Sequence, residues 1–152
     1  MSDTSAKLPT GQMFEMPASV PPGMCLEFSR ARLLPGAQEE TERWMGMLHD
    51  RYEGCLDTLS AERMAFEATF RHTDADGTEW IYHLSLYGES GAGLDLANPV
   101  DREHYAYAVR CKEPGGEELR PVLMLTPRPI RPLLEASARD GNITDTTGGN
   151  DA

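Results

Sequence analysis

Cationic charge is scarce in this chain: 14 Lys and Arg stand against 25 Asp and Glu, a formal net charge of −11. That balance argues against nucleic-acid partners, because affinity for a phosphate backbone is built mainly from cationic contacts. Long apolar runs are missing as well. None approaches the roughly 18 to 20 residues needed to cross a bilayer, and the first twenty residues lack the basic start and apolar core of a secretory signal. The expectation is a cytoplasmic chain with no membrane partner. Cysteine is sparse, and Cys25, Cys55 and Cys111 are odd in number with no close pair. Neither a disulfide framework nor a CxxC zinc site is indicated, and all three read as reduced thiols. No HExxH, GxSxG or P-loop spacing occurs, which removes the commonest zinc-protease, esterase and nucleotide-binding signatures.

What is present is 152 residues, 39% hydrophobic and 26% charged, the balance of one soluble globular domain. Residues 1–23 hold Pro9, Pro17, Pro21 and Pro22 without a sustained period and read as a flexible arm. Residues 138–152 carry almost no apolar side chain and two adjacent glycines, too little burial to offset the entropy of ordering them, and read as a disordered acidic tail. Residues 24–137 are the folded unit.

Within that unit CLEFSRARLL is strand-like and stops at Pro35-Gly36. From Ala37 onward Trp44, Leu48, Tyr52, Cys55 and Leu59 recur at helical spacing, with Met45 and Leu56 widening the stripe and glutamates in the first turn suiting the helix dipole. MAFEATFRHT and TEWIYHLSLYG both alternate, and the DADG between them predicts a hairpin. Asn98 and Pro99 then cap and open a second helix, PVDREHYAYAVRCKE. LRPVLMLTP reads as a buried strand and IRPLLEASA as a last helical turn.

The order βαββαβ predicts an α+β, ferredoxin-like sandwich: a four-stranded antiparallel sheet with two helices on one face and the other face open to a second copy. Strand parity assigns Leu26, Phe28, Phe66, Ala68, Phe70, Trp80, Tyr82, Leu84 and Leu86 to the helix-covered face. The opposite parity, Glu27, Ser29, Glu67, Thr69, Arg71, Ile81, His83, Ser85 and Tyr87, is expected on the open face. A solvated face accounts equally well for that polar set.

From Met24 to Lys112, the LLPG after the first strand, the helix EETERWMGMLHDRYEGCLDTLSAE, the strand MAFEATF and the DREH segment resemble a small bacterial domain family of unknown function. That family belongs to the dimeric α/β-barrel group of ferredoxin-like proteins. Glu62, Glu67 and the Pro-Val-Asp-Arg-Glu-His run carry the resemblance most specifically. It implies a homodimeric α/β barrel; the wider group is similar in fold to cofactor-independent monooxygenases, polyketide cyclases, lactone isomerases and haem-degrading proteins, so the fold licenses no single activity.

Among the residues themselves, His83 with Glu67 or Glu27 is the leading constellation, since an imidazole beside a carboxylate can take a proton from an acidic carbon and return it elsewhere. Tyr87 can donate to a developing enolate oxygen and Arg71 can orient an anionic substrate, with Ser85 on the same face. A pairing of His83 with Glu67 across a solvated hairpin explains the same residues without catalysis. Asp101 and His104 open the second helix, where they form either a solvated first turn or part of a site. His72, Asp74, Asp76 and Glu79 fail the calcium-loop spacing and belong to a hairpin turn, so no metal is expected. GESGAG reads as a flexible loop able to act as a lid, and Cys25 as the one cysteine with a chance of exposure. The resulting expectation is a protein that binds a small organic molecule without a cofactor, either an isomerase, cyclase or lyase or a non-catalytic dimeric ligand-binding or protein-interaction module.

Overall fold

The computed structural model describes residues 14–140. Residues 1–13 of the arm expected over residues 1–23, and residues 141–152 of the tail expected over residues 138–152, lie outside the described residues.

The first strand, β1 (Met24–Arg32), ends before Pro35-Gly36, where Gly36 takes a φ of +80°. Helix α1 (Gln38–Asp50) is followed directly by α2 (Tyr52–Leu59). A single helix is expected from the apolar stripe, but at Arg51 the backbone turns to φ −106° and ψ 31°. The hydrogen bonds from Arg51 N–H to the Met47 carbonyl and from Cys55 N–H to the Arg51 carbonyl persist, so the break is a kink. It leaves Tyr52 and Leu56 exposed although both lie on the expected stripe.

Strands β2 (Met64–Thr73) and β3 (Glu79–Gly88) form the expected hairpin. Gly77 supplies the positive φ of the turn, Asp76 accepts from the Thr78 N–H at 2.9 Å, and the Trp80 indole donates to Asp74 at 2.8 Å. Helix α3 (Pro99–Cys111) is capped by Asn98, whose side-chain oxygen accepts from the Val100 N–H at 2.9 Å.

The fourth strand departs from expectation. Only β4 (Glu117–Leu119) pairs with β1, and residues 120–127 run on outside the ladder with Val122 77% and Leu125 83% exposed. Pro121 has no N–H to continue the ladder, which accounts for the early end. Helix α4 (Arg131–Asp140) is longer than one turn. The fold is thus α+β, with a four-stranded, wholly antiparallel sheet in the order β2-β3-β1-β4 and four helices among the described residues.

Strand parity is the reverse of the sequence expectation. Ile81, 3% exposed, packs with Ala31 and Leu33 against Trp44 and Met47 of α1 and Cys111 of α3, so the polar parity lies beneath the first three helices. The apolar parity turns outward. Its lower end, Met24, Leu26 and Leu86, is covered by Met16 and Val20 from the strap of residues 14–23, by Met124, and by Leu134 and Ala138 of α4. Further along that outer face Phe28 and Tyr82 pack ring to ring at 5.6 Å, and the Arg30 guanidinium lies 4.0 Å over Trp80. The strap, Met124 and α4 thus bury the lower end of the apolar parity, a covering that strand parity cannot foresee, while Phe66 and Phe70 of β2 stay exposed.

Candidate functional site

Beneath the helices the sheet grades from apolar at Ala31 and Ile81 to polar beyond. Two cross-strand rows create the polar half: Ser29, His83 and Thr69 stand in register, followed by Glu27, Ser85 and Glu67. Over the β2 side of these rows lies a half-open groove of about 520 Å³. Met45, Leu48, Leu56 and Leu59 from α1 and α2 form much of its apolar wall, and Leu94 and Val100 close the α3 side. Its volume falls within the roughly 300–1,000 Å³ usual for small-molecule sites.

Five ionisable groups of interest reach this groove: Glu62, Glu67, His83, Asp101 and His104. The Glu67 carboxylate stands 3.5 Å from His83 Nε2, with the two side chains 41% and 34% exposed. Both sit inside the concavity, where local water is limited. Desolvation, with Asp101 adding to it, raises the Glu67 pKa, while desolvation and the Lys112 charge lower that of His83. Both shifts act against an ion pair, so the pair favours a neutral imidazole.

Glu62 follows the same logic further: desolvation, then the charges of Glu67 and Asp101, push its carboxyl up to about 7. It is placed by a turn in which Arg63 has a φ of +55°. The GESGAG segment holds that turn, since Gly88 N–H donates to the Arg63 carbonyl and Ala92 N–H to the Ala61 carbonyl. A Cβ at Gly91 would overlap the Glu62 carbonyl, and one at Gly88 would overlap Ala138 of α4. The segment is a tied clasp rather than the flexible lid expected from its composition, and its glycines permit close approach.

Asp101 is buried and accepts from the Asp95 N–H at 2.9 Å. His104 accepts at Nδ1 from the Trp44 indole N–H at 3.0 Å, which leaves Nε2 to carry the proton of the neutral ring. Desolvation, then the charges of Lys112 and His83, hold the His104 imidazole neutral down to about pH 4. Sequence reasoning missed the Trp44 contact, because Trp44 reads as core from its helical period. Glu62 stood only among the resemblance residues, and the clasp that positions it has no local motif.

The structure therefore brings His83, Glu67, Asp101 and His104 together, on the helix-covered face instead of the open one. Glu27 and Tyr87 go elsewhere: the Tyr87 hydroxyl donates to Glu27 at 2.9 Å, close to Cys25, and neither lines the groove. Cys25 is fully buried, against the expectation of exposure, and burial raises its thiol pKa. Ser85 is buried between Glu27 and Glu67. Arg71 also lies outside the groove, 3.3 Å from Glu79 at the hairpin. Among the described residues no group of three or more His, Cys, Asp or Glu side chains is arranged to hold a metal ion, and no helix is long and apolar enough to cross a membrane.

The model of a family of unknown function, DUF6176, matches residues 24–132, the whole sheet and its first three helices. The chain belongs to this family. No curated protein and no solved structure matches it. The matched span contains every groove-lining residue and excludes most of α4.

Proposed function

We propose that this DUF6176 member binds a small organic molecule in the groove and moves a proton on it without a cofactor, as an isomerase, cyclase or lyase does. The observation that carries this reading is the juxtaposition of a raised-pKa carboxylate, Glu67, with a neutral imidazole, His83, at the polar end of an apolar concavity. A carboxylate made more basic by burial is suited to take a proton from carbon next to a carbonyl. In an isomerisation the Glu67 carboxylate becomes a carboxylic acid as the substrate becomes an enolate. Protonation of the enolate at another carbon restores the carboxylate, so no co-reactant is consumed. The neutral His104 ring, with its proton on Nε2, can donate to the enolate oxygen, the role that Tyr87 leaves vacant by bonding to Glu27.

The test is exchange of α-protons for deuterium in a panel of cyclic ketones and aromatic lactones in D2O. Exchange is expected to depend on the protein and to fall by about 10²–10⁴-fold in Glu67→Gln, the usual worth of a positioned base. If no compound exchanges faster with the protein than without it, the proton-transfer reading is lost.

A second reading, a non-catalytic dimeric module built on a ferredoxin-like barrel, is favoured by the apolar outer surface. Val122 and Leu125 of the segment after β4, and Phe70 of β2, are more than half exposed, and large apolar side chains left in water mark surfaces that a partner can cover. Light scattering over a dilution series tests it: a mass of 16.8 kDa at every concentration would remove the homodimer.

A further inference from the structure

The walls of the groove also say what class of molecule suits it. Its lining includes three carboxyl groups, Glu62, Glu67 and Asp101, and no lysine or arginine. Lys112 lines an adjoining cavity of about 240 Å³ on the Ile81 side, which shares Thr69, His83 and His104 with the groove, and there its ammonium is drawn over the Trp44 ring at 5.6 Å. Arg71, the residue the sequence offers for anchoring an anion, is engaged with Glu79 outside the groove. Of the three histidines in the lining, His83 and His104 are held neutral by their surroundings and supply no positive charge beside the carboxyl groups, while His49 lines the groove from the last turn of α1. A carboxylate or phosphate entering this concavity would meet three like-charged groups in a setting of low dielectric, where repulsion is strong.

Resting on the reading that the groove is a small-molecule site, we infer that its ligand is a cationic amphiphile: an apolar body carrying an ammonium group. The apolar body lies along Met45, Leu48, Leu56 and Leu59, and the ammonium meets Glu62 and Asp101. Glu67 is left to act with His83. Charge complementarity makes the choice between occupants, because the same apolar wall would accept an acid, an alcohol or an amine of equal size. The acidic groups gain from this occupant too, since each lacks a cationic partner in the groove and an ammonium would favour their ionised forms.

Three isosteric probes decide the matter: 4-phenylbutylamine, 4-phenyl-1-butanol and 4-phenylbutyrate, titrated at pH 8 with the ring resonances of His83 and His104 as reporters of location. The amine is expected to bind at least about tenfold tighter than the butyrate, with the alcohol between them. The double variant Glu62→Gln with Asp101→Asn, whose amide oxygen can still accept from the Asp95 N–H, is expected to bring amine and alcohol affinities within about threefold of each other, while the alcohol still binds. Equal or tighter binding of the butyrate, or an amine preference that survives in the double variant, overturns the cationic ligand and leaves the groove reading intact. Failure of all three probes to shift either histidine overturns the groove reading itself, and this inference with it.

Discussion

The two faces of the sheet divide two tasks that a small domain ordinarily mixes. Beneath α1, α2 and α3 the strands present His83, Ser85 and Glu67, and helices spanning this polar surface leave a groove over its β2 side. On the outer face the strands present Leu26, Leu84 and Leu86, and a strap, a single helix and an irregular segment cover the lower end. The inner face stores electrostatic cost: a glutamate titrating near 7 and a histidine near 4 are groups kept from their preferred charge by burial. The outer face offsets it with fully buried Met24 and Leu86. Strained polar groups on one side and plain apolar burial on the other is the pattern expected where a site trades stability for reactivity.

Trp44→Ala breaks this comparison most severely. The side chain is almost completely buried between α1 and the apolar end of the inner face, and it holds His104 through its indole N–H. Loss of a buried aromatic of this size costs about 3–5 kcal/mol, read from the urea midpoint. The same variant removes the Nδ1 contact and admits water, so the His104 resonance is expected to titrate closer to 6.5 than in the parent protein. A loss below about 1 kcal/mol would mean that the inner face has no core of its own.

Much of the architecture was legible because it rests on local chemistry. DADG made the β2–β3 turn, Asn98-Pro99 opened α3, and Pro35-Gly36 ended the first strand run. Period two also separated the strand residues correctly into two sets. It could not say which set meets α1 and α3, because both sets are buried somewhere: Ile81 by Trp44, Leu86 by Val20 and Ala138. The covering of Leu86 comes from the strap and from α4, both far from β3 in the chain, and the period of a strand points to neither. Of the candidate site, His83, Glu67, Asp101 and His104 were found because they are titratable residues on one strand face and one helix start. Glu62 escaped as a groove residue because a turn with positive φ and a clasp of glycines position it, and neither is visible as spacing.

Glu62→Gln sharpens the comparison by removing part of the stored cost. A carboxyl whose pKa is near 7 in the fold and near 4.5 unfolded binds its proton more tightly when folded. Its contribution to stability is therefore unimpaired below about pH 4.5, declines as pH rises through that window, and reaches its full penalty above 7. The amide carries no such penalty. After allowance for the partial exposure of the side chain, Glu62→Gln is expected to stabilise the protein by on the order of 1–3 kcal/mol at pH 8 and by little at pH 4.5. Equal effects at the two pH values would show that the group is not desolvated. His104 works in the opposite sense over a neighbouring range: held neutral to about 4 against a usual 6.5, it withdraws stability as pH falls between those values. The two ranges overlap, so the penalty that Glu62 gains as pH rises largely cancels the one that His104 sheds, and the parent protein is expected to show only a shallow pH dependence from this pair, which Glu62→Gln would steepen.

Leu125→Asp probes the outer side and should move least. The side chain is 83% exposed, in a segment that the β1–β4 ladder does not reach, so its removal from water is slight. A change within about 0.5 kcal/mol in the unfolding of dilute protein is expected, the usual range for surface substitutions. The same aspartate places a charge in the apolar neighbourhood proposed to meet a second copy, so an associating protein would dissociate at concentrations where the parent remains paired. A loss of more than about 1 kcal/mol in dilute solution would instead place Leu125 within the fold's own packing. The outer face would then be covered along its length by its own chain, and only the groove under the helices would remain open to a partner.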